Sequence, residues 1–240
     1  MTGSASPEEI AGRRARLLEA IARAAGRAGR RAADVAFMAV TKTQTVGTVR
    51  NAARAGITLF GENRVQEGVA KIEALGKEFP GVSWRLIGPL QTNKAKSALQ
   101  WFAAVETLDR ERLATRLEAI LRETAPDRVL PVLLEVNVGG ESSKSGVAPE
   151  GAPSLLEAAL ACPHLDVRGL MAVPPFADNP EESRPHFRRL AALRERLASE
   201  FRRPLPELSI GMSHDFEVAV EEGSSEVRIG TALFGPREAA

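Results

Sequence analysis

The chain has 240 residues, 44% of them hydrophobic and 26% charged, the balance of a globular protein long enough to bury a sizeable core. Basic residues number 32 and acidic residues 31, and this net charge of +1 excludes strong default attraction to nucleic acid or to an anionic membrane. A single cysteine, Cys162, excludes an intrachain disulfide and a cysteine-rich metal site; with no apolar signal segment and no stretch of the ~20 apolar residues a span needs, a cytoplasmic protein is expected.

Residues 1–6 are expected to be disordered ahead of the first helix. Ser6-Pro7-Glu8-Glu9 reads as a capping box, with Ile10, Leu17, Leu18 and Ile21 then recurring at helical spacing until Gly26–Gly29. Val35–Thr41 is a short apolar strand, Gln44–Ala55 a helix, and Ile57–Phe60 a second strand closed by Gly61-Glu62-Asn63. A helix over Arg64–Phe79 leads to a third strand, Ser83–Ile87. A short helix around Asn93–Leu99 precedes a fourth, Phe102–Val105. Asp109 is expected to cap a helix reaching Thr124. Val129–Val138 is the fifth and most apolar strand, and Pro149–Ala161 is helical. Val167–Val173 is the sixth strand, Glu181–Phe201 a long helix, Glu207–Met212 the seventh strand. Asp215–Glu222 is a helix stopped by Gly223, and Glu226–Ile229 is the eighth strand, running into Gly230 to Gly235.

Eight strands alternating with helices predict an α/β fold, a closed (β/α)8 TIM barrel of parallel strands with one extra N-terminal helix. A doubly wound open sheet is the other reading. It calls for a glycine-rich turn after the first strand, and Thr41-Lys42-Thr43-Gln44 is not one. Without repeat, linker or composition break, residues 1–240 are expected to form one domain.

Barrel enzymes and binding proteins place their sites at the C-terminal ends of the strands. Those ends here carry Lys42, Gly61-Glu62-Asn63, Gly88 to Gln91, Glu135, Asn137, Met171, Gly211 to Asp215, and Arg228 to Thr231. Desolvation lowers a lysine's pKa, and a neutral amine is what a Schiff base requires, so Lys42 is a candidate nucleophile; a snorkelling or ion-paired lysine is the alternative. The loops after the last two strands suit a phosphate, with Ser213, Gly230 and Thr231 offering hydroxyls and close backbone N–H groups; a plain N-cap and two turns are the alternative. Lysine and phosphate cradle together suggest a phosphorylated aldehyde, and pyridoxal 5′-phosphate (PLP) fits. Arg228 would then face the pyridine nitrogen and keep it unprotonated, unless it merely pairs with Glu226 or Glu62.

Several segments carry a resemblance: AVTKTQ (39–44), FGENRVQE (60–67), WRLIGPLQTNKAK (84–96), EVNVGGESSKSGV (135–147), RGLMAVPP (168–175) and LSIGMSHDFEVAVEEGSSEVRIGTALFG (208–235). Together they resemble the pyridoxal-phosphate homeostasis proteins, single-domain barrels related to the N-terminal domain of alanine racemase. The resemblance implies that Lys42 forms the Schiff base with PLP and that Ser213, Gly230 and Thr231 hold the phosphate. It further implies that Arg228 faces the pyridine nitrogen, that Asn63 lies near the ring and that Met171 packs beside it. Lys94 and Lys144 match secondary lysines, for cofactor transfer or a second PLP contact. Many members carry histidine where Arg85 and Pro89 stand, which reads as tolerated surface or loop variation.

The family reading is a carrier in intracellular vitamin B6 and amino-acid homeostasis, not an enzyme, with PLP-accepting apo-enzymes as partners and a monomeric state. The related racemases use a lysine and a tyrosine as bases, and this chain has no tyrosine. A PLP-dependent amino-acid enzyme, such as a weak racemase, is the alternative; a PLP-free Schiff-base aldolase is a third, disfavoured by the match from Arg228 to Thr231. Other signals are weaker. Gly139–Ser145 lacks the glycines of a phosphate loop, and His164, His186 and His214 lack metal spacing. Cys162 is expected to pack, and the arginine pairs at 13–14, 30–31, 188–189 and 202–203 to lie on solvated helix faces or ends.

Overall fold

Residues 5–141 and 145–236 are described in the structure, a computed structural model. The capping box forms as predicted: Ser6 Oγ accepts from the Glu9 amide at 3.2 Å, and the Glu9 carboxylate accepts from the Ser6 amide at 2.8 Å. From there α1 (Pro7–Arg27) runs with Ile10, Leu17, Ile21 and Ala24 on its buried face. Ala5, just before the cap, accepts from Asn51 Nδ2 through its carbonyl at 3.0 Å.

Strands and helices then alternate. In order they are β1 (Ala36–Val40), α2 (Val46–Arg54), β2 (Leu59–Glu62), α3 (Val65–Leu75), β3 (Ser83–Leu86), α4 (Ala95–Trp101), β4 (Ala104–Leu108) and α5 (Glu111–Thr124). There follow β5 (Leu130–Glu135), α6 (Ala152–Leu160), β6 (Leu165–Met171), α7 (Arg184–Glu200), β7 (Glu207–Met212), α8 (Phe216–Glu221), β8 (Glu226–Ile229) and α9 (Thr231–Phe234). All eight strands are parallel, each pairs with its sequence neighbour, and β8 pairs with β1 to close the barrel. The (β/α)8 expectation and the extra N-terminal helix are met; closure removes every sheet edge.

Side chains alternate across the barrel wall with the pleat. Ala39, Phe60, Trp84, Leu86, Val105, Leu134, Leu170, Leu208 and Ile229 point outward and fuse with the helices' apolar faces into one continuous layer. Phe60 stacks on Trp84 within it, ring centroids 4.9 Å apart. The alternate residues point into the barrel, among them Met38, Arg85, Ala104, Leu133, Met171, Ser209, Glu226 and Arg228. The contacts of Arg85 with Glu207 and Glu226, and of Ser209 with Glu106, cross the interior between non-adjacent strands.

Four local expectations are corrected. β2 does not stop at Phe60 but includes Gly61 and Glu62, because Glu62 has a buried ionic partner. β4 extends past Val105 to Leu108, burying Glu106 and Thr107. Asp109 caps nothing: Arg110 holds the cap position without a side-chain bond, and Asp109 pairs with it at 2.5 Å. After β8 the chain turns at once into α9, a helix the glycine-flanked sequence did not announce.

Candidate functional site

The C-terminal end of β1 carries the lysine. Thr41 is fully buried; its amide donates to the Gly61 carbonyl at 3.0 Å, and its hydroxyl donates to Glu62 Oε1 at 2.5 Å. Lys42 follows, half-buried, in a cleft that it shares with Val40, Gln44, Gly230, Thr231 and Gly235. The lysine and two residues of the expected phosphate cradle thus come from opposite ends of the chain to one place, because β8 closes on β1.

The turn beneath Lys42 is braced by a network that sequence reasoning missed. Lys71 of α3 is 3% exposed and donates to the Thr41 carbonyl and to Glu62 Oε1, each at 2.6 Å, and to Glu67 Oε1 at 2.7 Å. Glu67 Oε1 also accepts from the Thr43 amide at 2.6 Å. Thr43 has a φ of 66°, a left-handed conformation that a β-branched residue holds only under constraint. Burial pushes the Glu62 carboxyl above its usual range, against the pull of Lys71 and Thr41. Glu62 points outward beneath α3, so it is not the partner of Arg228. The signal was available: Glu67 and Lys71 are four apart on an otherwise amphipathic helix.

The cradle is made by three elements. Ser213, after β7, accepts from the amides of Gly230 and Ala232, each at 3.1 Å. Two N–H groups at the start of α9 thus converge on one oxygen, an arrangement equally suited to an anionic oxygen. Ser213 does not cap α8; the amide of Met212 donates to the Asp215 carboxylate at 2.7 Å instead. Gly211 bends the chain into this loop at φ +93°, where a Cβ would sit 2.5 Å from that of Ala219. Thr231 is exposed at the rim.

Arg228 lies inside the barrel, 4% exposed. It donates through Nη1 to the Ser209 carbonyl at 2.6 Å and Oγ at 2.7 Å, and through Nη2 to the Ala172 carbonyl at 2.8 Å. No direct ion pair with Glu226 is made. Met171 is fully buried and registers between Glu135 of β5 and Ser209 of β7. Asn63 follows β2, and its buried Oδ1 has no hydrogen-bond partner among the described residues. The backbone there is held close, since a Cβ on Gly88 would collide with the Asn63 carbonyl. Glu135 is 7% exposed with Oε2 unpartnered among the described residues. Burial, with Asp109 adding to it and Arg228 opposing, pushes its carboxyl up to about 7.

The remaining candidates separate from this cluster. Lys94 ends the 3₁₀ turn Thr92–Lys94 before α4. Lys144 lies outside the described residues, as do Ser142 and Ser143. Pro89 is exposed, as surface variation requires, but Arg85 is not a surface position. It occupies the inward face of β3 and meets Glu106 at 3.2 Å, Glu207 at 2.9 Å and Glu226 at 3.1 Å. Its alternation with Trp84 and Leu86 was the missed signal. Cys162 is buried as expected. His164 binds Glu118, and exposed His214 lies tilted against the Phe176 ring, centroids 5.6 Å apart. Among the described residues no cluster of histidine, cysteine or carboxylate could hold a metal, and no helix is long and apolar enough to cross a membrane.

Comparison with known proteins places the chain in a family. The family model for the alanine racemase N-terminal domain matches residues 17–238. A pyridoxal phosphate homeostasis protein of Aquifex aeolicus is 46% identical over 226 residues, 94% of this chain and 97% of that protein. The structure of PipY from Synechococcus elongatus with PLP bound is 33% identical, with a TM-score of 0.79 over 90% of this chain and 100% of that one. Alanine racemase from Corynebacterium glutamicum, at 17% identity and a TM-score of 0.69, shares the fold; this chain covers 63% of it.

Proposed function

The chain belongs to the alanine racemase N-terminal domain family, and from that membership we propose that it binds PLP as a Schiff base on Lys42 and serves intracellular PLP and amino-acid homeostasis. The observation that carries this reading is the single cleft that brings Lys42 together with Gly230 and Thr231. The residues present fit the group. The amides of Gly230 and Ala232, with Ser213, would hold the phosphate; the unpartnered Asn63 Oδ1 supplies a polar contact near the ring; Met171 supplies an apolar wall. Arg228 would stand at the pyridine nitrogen. When bound, PLP supplies an electrophilic carbon and an electron-withdrawing ring. A guanidinium offers the ring nitrogen an N–H hydrogen bond, not a transferred proton, so beside Arg228 the ring withdraws electrons weakly.

That electrostatic choice favours holding PLP over amino-acid chemistry. The reading is therefore a carrier, acting in the cytoplasm as one barrel domain over residues 1–240, monomeric, and handing PLP to apo-enzymes. The names of the relatives support homeostasis, and a chain without tyrosine has no tyrosine base with which to racemise.

An absorption spectrum of the protein with added PLP, before and after borohydride, followed by peptide mapping, tests it. A yellow band that reduces onto Lys42, and no amino-acid turnover, is expected. PLP that leaves cleanly on gel filtration, or a Lys42→Ala variant with the wild-type adduct at its wild-type place, overturns the proposal.

A further inference from the structure

Below Arg228 the barrel interior is filled by charge instead of aliphatic layers. Ser209 Oγ lies 2.7 Å from Glu106 Oε2 and 2.9 Å from Glu226 Oε1, and accepts Arg228 Nη1 at 2.7 Å. All three residues around that hydroxyl are sealed, with Glu106 and Ser209 at 0% and Glu226 at 2% exposure. A serine hydroxyl has one hydrogen, so it can donate to one carboxylate only. Were both glutamates ionised, the second contact would set two oxygen lone pairs against each other in a region sealed from bulk solvent.

The neighbouring charges do not remove the difficulty. Arg85 Nη1 faces Glu106, Glu226 and Glu207, and Arg168 takes the other oxygen of Glu207 at 3.1 Å. Glu207 thus has a second guanidinium at the lower rim, whereas the two interior carboxyls share Arg85, which also holds Glu207. Burial, reinforced by the charge of Glu106, drives the Glu226 carboxyl well above its usual range.

We propose that Glu106 and Glu226 hold one proton between them at neutral pH, and that this half-charged pair, acting through Ser209, fixes Arg228 against the cofactor ring. The part of the proposal that concerns the ring rests on the PLP reading above. The physical logic is a balance of charge. One carboxylate answers Arg85 and leaves Arg228 a net cation held by neutral oxygens. A second carboxylate would leave the floor with a net negative charge and draw the Arg228 guanidinium downward, away from the ring. Ser209, Glu106 and Glu226 are positioning residues: none of them reaches the mouth.

The first test needs no cofactor. Infrared difference spectra at neutral pH, wild type minus Glu226→Gln and wild type minus Glu106→Gln, should each show the loss of one buried carboxylic-acid C=O band. Glu135 is common to both members of each difference and cancels. Absence of the band in either difference overturns the shared proton. With PLP, Ser209→Ala should weaken binding about tenfold, the scale of one charged hydrogen bond, and shift the visible band, because Arg228 loses its side-chain anchor. Wild-type affinity and an unshifted band in Ser209→Ala overturn the link to Arg228. If Ser209→Ala does not fold, the Glu106→Gln/Glu226→Gln double variant decides by its melting temperature. Its loss should exceed the sum of the single losses, since each single change removes a carboxyl whose proton the other can release; strictly additive losses refute the pairing. Failure of the wild type to bind PLP sinks the functional reading and leaves the infrared result standing.

Discussion

Replacing Lys71 with methionine is the sharpest perturbation of the site's foundations. The ammonium makes three bonds of 2.6–2.7 Å, to the Thr41 carbonyl and to Glu62 and Glu67. Without it, fully buried Glu62 keeps only the Thr41 hydroxyl among the described residues, where its Oε2 already lacks a partner. Stranding one member of a buried pair costs about 3–5 kcal/mol. Glu62 can limit that cost by taking up a proton, to which burial already inclines it. The loss should therefore sit near the lower bound, about 3 kcal/mol, or about 6–12 °C in melting temperature for a chain of this size. It should shrink as pH falls, because protonation neutralises a Glu62 carboxyl that burial already holds above its usual range. Urea unfolding at two pH values measures it. A second change, Glu62→Met on top of Lys71→Met, should recover much of the stability, because a buried pair replaced by apolar side chains is close to neutral. A loss under about 1 kcal/mol for Lys71→Met, or one that does not depend on pH, refutes the argument.

Three further outcomes are expected. Glu135→Gln should leave stability near about pH 4 unchanged and raise it above neutrality: the folded carboxyl at about 7 against 4.5 costs up to about 3 kcal/mol, absent below the lower value and complete above the higher; parallel pH–stability curves would contradict this. Gly211→Ala should lose about 2 kcal/mol or more in urea, because it adds a left-handed alanine to a 2.5 Å approach on Ala219; a silent change would mean that the loop relaxes freely. Ser213→Ala removes one acceptor from two amides, so PLP affinity measured by absorbance titration should fall about tenfold while stability changes by about 1 kcal/mol; a large stability loss with unchanged affinity would make Ser213 purely structural.

The barrel was legible because its strands are short apolar runs punctuated by glycine and proline. The seventh and eighth strands were placed at their observed bounds, Glu207–Met212 and Glu226–Ile229. Errors fell where tertiary partners override local composition. Glu62 read as part of the segment closing the second strand, and the fourth strand was read only to Val105; Lys71 and Arg85 let Glu62 and Glu106 stay inside their strands. Arg85 was assigned to the surface although its alternation with two buried residues pointed inward. Strand ends named Lys42, Ser213, Arg228, Gly230 and Thr231 as candidates, and the closure of β8 on β1 explains why Lys42 can share a cleft with Gly230, 188 positions away. Of the brace beneath them only the Glu67–Lys71 spacing was legible; its reach to Thr41 and Glu62 depends on which helix residue falls below which strand.

The outward ring of Trp84, stacked on Phe60 in the apolar layer, also has an optical consequence. With no tyrosine and two tryptophans, the other being Trp101 at the end of α4, ultraviolet emission arises from two indoles alone. Neither sits at the C-terminal mouth: Trp84 is the second residue of β3, and Trp101 closes the helix that leads into the base of β4. A ligand at the mouth therefore touches neither emitter, and any dimming on loading must travel by energy transfer across the barrel. The decay of that emission is a ruler from the wall to the bound chromophore, built into the native sequence without a label.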